Sequence, residues 1–118
     1  MKKNTAGQYI CCQLTTAAGS AVTSGTTTVN VTIDGGTQGS GSGTIAHNGN
    51  GLWTYAATQA DTNGNNIVFQ FLNAAAVTSI MQVYTIPYDA TSGYPRVELK
   101  AVNSVTVNGN GSSTPWGP

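Results

Sequence analysis

The sequence predicts an antiparallel β-sandwich, immunoglobulin-like or jelly-roll-like, with one short helical corner. Three observations carry that prediction. Apolar residues alternate with polar ones at the two-residue period of a half-buried strand, most clearly in Thr26 to Asp34, where Val29, Val31 and Ile33 alternate with Thr28, Asn30 and Thr32. Turn residues, Gly, Asn and Ser above all, punctuate the chain at short intervals. No stretch has the length and period of a full helix, so helices do not alternate with strands as a parallel α/β sheet requires.

In chain order, Gln8 to Leu14 (QYICCQL) reads as the first strand and Thr26 to Asp34 as the second, closed by the turn residues Asp34-Gly35-Gly36. Gly35 to Gly43 (GGTQGSGSG) reads as the most flexible stretch, a loop tip or a bulged edge. Gly43 to His47 forms a short strand, and Asn48 to Gly51 (NGNG) a tight turn into the strand Leu52 to Ala56. Thr58 to Asn63 has the Thr-x-x-Asp signature of a helix start, but Gly64 stops it within one turn. Asn66 to Leu72 (NIVFQFL) is apolar enough to be the central strand, and Thr78 to Ile86 follows, ending at Pro87. Pro95 to Val102 and Ser104 to Val107 complete the set. The predicted core is Val29, Val31, Ile33, Trp53, Tyr55, Ile67, Phe69, Phe71, Val83 and Leu99. One domain is expected over residues 1–107, with an N-terminal arm at 1–8 and a C-terminal arm at 108–118, both mobile docking elements.

Only 7% of the 118 residues are charged, against about 25% in ordinary soluble domains. Charge keeps small proteins apart, so a neutral exterior of Thr, Asn, Gln and Gly suits a protein docked in an assembly. An ordinary low-charge secreted protein is the alternative. Lys2, Lys3, Arg96 and Lys100 are too few for a nucleic-acid footprint. No apolar run reaches the roughly 20 residues of a membrane span. Lys2 and Lys3 are followed by polar residues rather than a signal-peptide core, so the protein is expected to begin at Met1 and fold in the cytoplasm of the cell that makes it.

Chemistry-bearing residues are sparse. Asp34, Asp61, Asp89 and Glu98 are the only acids, and Asp34 and Asp61 sit in turns, where structural roles outweigh paired-carboxylate catalysis. His47 lies beside a turn with no nucleophile at a recognisable motif. Asp61 to Asn66 (DTNGNN) faintly echoes a calcium loop but lacks the distal acid. Cys11 and Cys12 are adjacent, so in a strand they point to opposite faces; both are expected as free thiols, one of them in the core. No enzyme activity, cofactor, metal or disulfide is expected.

The block Gly43 to Val77 combines a Gly-Asn-Gly turn, an aromatic strand (Leu52, Trp53, Tyr55), a Thr58 to Gly64 corner and the apolar strand Ile67 to Leu72. It resembles a module of tailed-bacteriophage structural proteins, and Asp34 to Gly41 (DGGTQGSG) resembles the opening of the same module. The likeness spans roughly a third to a half of the chain. Head decoration proteins and β-modules of tail, fibre and baseplate proteins carry this block. The resemblance implies a non-enzymatic virion protein, assembled in the host cytoplasm, most specifically a capsid decoration or cement protein whose partner is the major capsid protein or another virion protein. It carries with it an expected homo-oligomer, a trimer matching the three-fold axes of a shell. A tail, baseplate or fibre module, receptor- or glycan-binding, is the second reading, and a free-standing carbohydrate-binding module the third. Tyr88, Tyr94, Pro115 and Trp116 are the candidate interface residues. Trp116 either anchors a partner from a stiffened Pro-Trp-Gly-Pro backbone or folds back on the protein's own sandwich.

Overall fold

The computed structural model describes residues 1–87, together with the backbone of 101–102 and 105–106. The chain clusters into two compact units, Met1–Tyr88 and Asp89–Pro118, where the sequence reading draws one domain over 1–107. Pro87, which has no N–H to continue a ladder, stands at the junction. In the second unit β8 (Ala101–Val102) and β9 (Val105–Thr106) pair antiparallel.

The first unit is an antiparallel β-sandwich. β1 (Gln8–Gln13), β5 (Leu52–Ala57) and β4 (Thr44–Gly49) form one sheet in the order β1-β5-β4. β3 (Gly39–Ser40), β2 (Thr27–Ile33), β6 (Asn66–Asn73) and β7 (Ser79–Tyr84) form the other, in the order β3-β2-β6-β7. A single 3₁₀ turn, Ala60–Thr62, is the short helical corner between β5 and β6. The block Gly43 to Val77 is therefore built around the β4-β5 hairpin, this corner and β6, the segment that crosses from one sheet to the other.

The inner faces follow the two-residue period. Ile10, Cys12, Leu14, Trp53, Tyr55 and Ala57 from one sheet meet Val29, Val31, Ile67, Phe69 and Phe71 from the other, with Val22 from a loop. Of the predicted core, Ile33 and Val83 are partly buried against this cluster, and Leu99 lies outside the described residues. Cys12 is buried and Cys11 exposed, both as free thiols. β6 is central, paired with β2 on one side and β7 on the other.

Two expectations change. Met1 to Gln8, expected as a mobile arm, is tied to the sandwich. Lys2 bridges to Ile86, with Ile86 N donating to Met1 O at 2.9 Å and Lys3 N donating to Ile86 O at 3.0 Å. Asn4 N donates to Thr62 O at 2.9 Å, and Thr5 N to the buried Thr62 hydroxyl, also at 2.9 Å. The cause is the Gln8 amide: its Nε2 donates at 2.8 Å to both Lys2 O and Thr5 O, and its Oε1 accepts from Lys2 N at 2.6 Å. That brace folds the polar segment into a loop whose backbone groups are satisfied.

The second change concerns Gly35 to Gly43. Its last glycines serve close approach rather than flexibility. Gly41 N donates to Val29 O at 2.9 Å and Gly43 N to the Tyr55 hydroxyl at 2.8 Å. A Cβ on Gly43 would collide with the Ala56 carbonyl and the Tyr55 ring. Gly43→Ala is accordingly expected to cost about 1–3 kcal/mol by overpacking. Gly39→Ala, whose Cβ would meet nothing within 4 Å, should stay within about 0.5 kcal/mol. Urea midpoints of the two variants measure the difference; equal midpoints would mean that the segment is loose.

Candidate functional site

A polar constellation around the buried Asp61 lies where the Gly41–Gly43 segment crosses the corner. Asp61 is 5% exposed. Its Oδ2 accepts from the Tyr55 hydroxyl at 2.6 Å and from Thr58 N at 3.1 Å. Its Oδ1 accepts from Ser42 N and Ser42 Oγ, each at 3.4 Å. Thr58 Oγ1 in turn accepts from Asp61 N at 3.3 Å, completing a reciprocal cap on the 3₁₀ turn. Burial pushes the Asp61 carboxyl up, but the donors outweigh it: the phenol of Tyr55, the backbone N–H groups of Thr58 and Ser42 and the Thr58 hydroxyl hold it below the ordinary carboxylate range. Burial, reinforced by the hydrogen bond to Asp61, lifts the Tyr55 phenol to about 12.

A shallow groove of about 390 Å³ runs beside this cluster between residues 36–42 and Ala60–Asp61. Among the described residues Asp61 is the only ionisable side chain lining it, and both of its oxygens are already engaged. Among the described residues no group of three or more His, Cys, Asp or Glu is placed to hold a metal. Asp61 thus works as a structural knot joining β5, the corner and the glycine segment. Asn65 and Asn66, at the end of the calcium-like run, give their backbone N–H groups to Asp34 Oδ1, both at 2.9 Å. His47 caps the β4-β5 turn: its Nε2 accepts from Gly51 N at 3.0 Å, and its ring packs on Trp53 with centroids 5.0 Å apart.

Aromatic rings, the side chains that stack on sugars, separate by burial. Trp53 is in the core, its indole N–H donating to Val22 O at 2.8 Å. Tyr84 is 70% exposed on β7. Tyr88, Tyr94, Pro115 and Trp116 lie outside the described residues.

Charge is distributed in a way the sequence alone could not place. Residues 1–87 contain four charged side chains, Lys2, Lys3, Asp34 and Asp61. Asp61 is internal. Lys3 Nζ donates to Asn65 Oδ1 at 3.0 Å, and Asp34 accepts from Asn65 and Asn66. Those two backbone bonds, with Lys3 nearby, hold the Asp34 carboxyl below its usual range. Lys2 lies against Ile86, which follows the strand paired with Asn66. Among the described residues the exposed charges therefore gather at one end. The outer face of the three-stranded sheet, carrying Tyr9, Cys11, Leu52, Thr54, Ala46 and Ala56, has none. Nor does that of the four-stranded sheet, with Asn30, Thr32, Val68, Gln70, Ile80, Gln82 and Tyr84. No family model, curated protein or solved structure matches this chain.

Proposed function

We propose that this protein is a non-enzymatic structural component of a bacteriophage virion, in its most specific form a decoration or cement protein on the outer face of the capsid. The observation that carries the reading is that, among the described residues, the strands of both broad faces of the sandwich carry no charge on their outer sides. Such faces dock without stripping water from ions, the step that makes charged surfaces expensive to bury. The face of the three-stranded sheet is the shell-facing one in this reading: Tyr9 is 71% and Leu52 39% exposed there, among small Ala and Thr side chains. The likeness of residues 34–77 to phage modules supports the virion assignment. A module that binds the assembled shell but not free subunits stabilises the shell by mass action. The trimeric state belongs to the same proposal.

The test is rebinding to particles stripped of the protein. Saturable rebinding in lattice stoichiometry, with a rise in the melting temperature of the shell, is the expected result. Tyr9→Glu, which puts a charge on the docking face, should weaken rebinding at least tenfold while leaving the free protein folded. A few copies per particle would move the assignment to the tail, and no rebinding at all would end the virion reading.

A further inference from the structure

The opposite face, that of the four-stranded sheet, carries an ordered set of side-chain amides. The register places Asn30 of β2 opposite Gln70 of β6, and Asn66 of β6 opposite Tyr84 of β7. Gln38, just before β3, reaches across the row: its Nε2 donates to Gln70 Oε1 at 2.7 Å, and its Oε1 accepts from Asn30 Nδ2 at 3.4 Å. Gln82 Nε2 donates to Asn66 Oδ1 at 3.0 Å. These bonds fix the orientation of five amides and leave the NH2 groups of Gln70 and Asn66 and the carbonyl oxygen of Gln82 for another partner. Each amide offers two donors and one acceptor oxygen. The face is therefore mixed in hydrogen-bonding sense, ordered and uncharged.

We propose that this face binds a neutral polysaccharide, with the amide row engaging sugar hydroxyls and the Tyr84 ring stacking on a pyranose face. A hydroxyl is donor and acceptor at once, so neighbouring sugar hydroxyls match a surface where donors and acceptors alternate. An anion would need an excess of donors or a cation, and among the described residues strands β2, β3, β6 and β7 carry no Lys or Arg, Lys2 and Lys3 lying beyond the Asn66–Tyr84 end of the row. A purely apolar partner would leave the amides desolvated and unpaired, a loss for each one. Tyr84 adds a wide ring with a polar tip, exposed at the edge of the row. Gln70 and Asn66 are four residues apart on β6, about 13 Å at the rise of a strand, which suits an extended chain better than a single sugar. The proposal does not rest on the virion reading and uses the face that reading leaves free.

Calorimetric titration of the full chain with dextran, galactomannan and mixed-linkage β-glucan, with heparin as the anionic probe, tests it. Binding to at least one neutral glycan and none to heparin is expected. Tyr84→Ala and Gln70→Ala should each raise the Kd at least tenfold with little change in melting temperature. Tyr9→Ala, which removes the equally exposed tyrosine of the other sheet, should leave glycan binding unaltered. Three neutral glycans without heat, or equal affinity in Tyr84→Ala and wild type, would overturn the proposal. So would loss of shell rebinding in Tyr84→Ala without any glycan binding, because the face would then be a protein-docking surface. Failure of the virion reading alone would leave the glycan titration unchanged.

Discussion

Phe69→Ala is expected to destabilise the protein by about 3–5 kcal/mol. Phe69 is fully buried at the middle of β6, the strand with neighbours on both sides. Its ring meets Tyr55 of the other sheet with centroids 5.9 Å apart and planes tilted by 52°. Truncation therefore empties the contact between the two sheets as well as removing apolar area from the core. For a domain of this size each kcal/mol moves the melting temperature by roughly 4–8 °C, so calorimetry should register a fall of well over 10 °C. A loss below about 1 kcal/mol would mean that β6 presents its other face, Val68, Gln70 and Leu72, to the interior.

Asp61→Ala should cost about 1–3 kcal/mol, through a different cause. It leaves the buried Tyr55 hydroxyl without its acceptor, while Thr58 N and Ser42 N lose the same carboxylate at half-buried and exposed positions that water reaches. The same cluster sets the pH dependence. The Asp61 carboxyl lies lower in the folded state than in the unfolded chain, so its contribution is full above the unfolded value of about 3.9 and is lost as pH falls through the folded one. The Tyr55 phenol is raised to about 12. Its contribution is full below the unfolded value of about 10 and is lost as pH climbs from there toward the folded value. Urea midpoints at about pH 3, 7 and 11 should trace a plateau with two shoulders. Asp61→Asn should flatten the acid shoulder, with Asp34 supplying what remains of it, and Tyr55→Phe should flatten the alkaline one, with the Cys12 thiol, pushed up by burial, supplying what remains there. An unchanged acid shoulder in Asp61→Asn would place the titrating carboxylate elsewhere.

The strands were legible where local period reports burial. Val29 and Val31 alternate with polar residues and are buried; Trp53 and Tyr55 share a face and are buried. Val22 was not legible, because it sits in a loop with no period and owes its burial to a backbone bond from its N–H to Leu14 O and to the Trp53 indole. The Thr58–Asp61 cap could be read from four consecutive residues. Its partner Tyr55 could not, since that contact requires the chain to turn the corner. The glycines at 41 and 43 misled for the same reason: absence of a side chain reads as freedom, while here it admits a tyrosine ring from another strand. The amide row is likewise invisible in sequence, because Asn30, Gln38 and Gln70 become neighbours only once β2 and β6 are in register.

The confinement of Lys2, Lys3 and Asp34 to one end has a consequence for the medium in which the protein works. Interactions between exposed charges fade as ionic strength rises, over a screening length of about 10 Å at 0.1 M and about 3 Å at 1 M. Among the described residues the outer sides of the two broad faces hold no charge for dissolved ions to screen. Under the proposed docking, association through them is expected to hold in dilute water as in brine, and to tighten in sulfate, which is excluded from such surfaces.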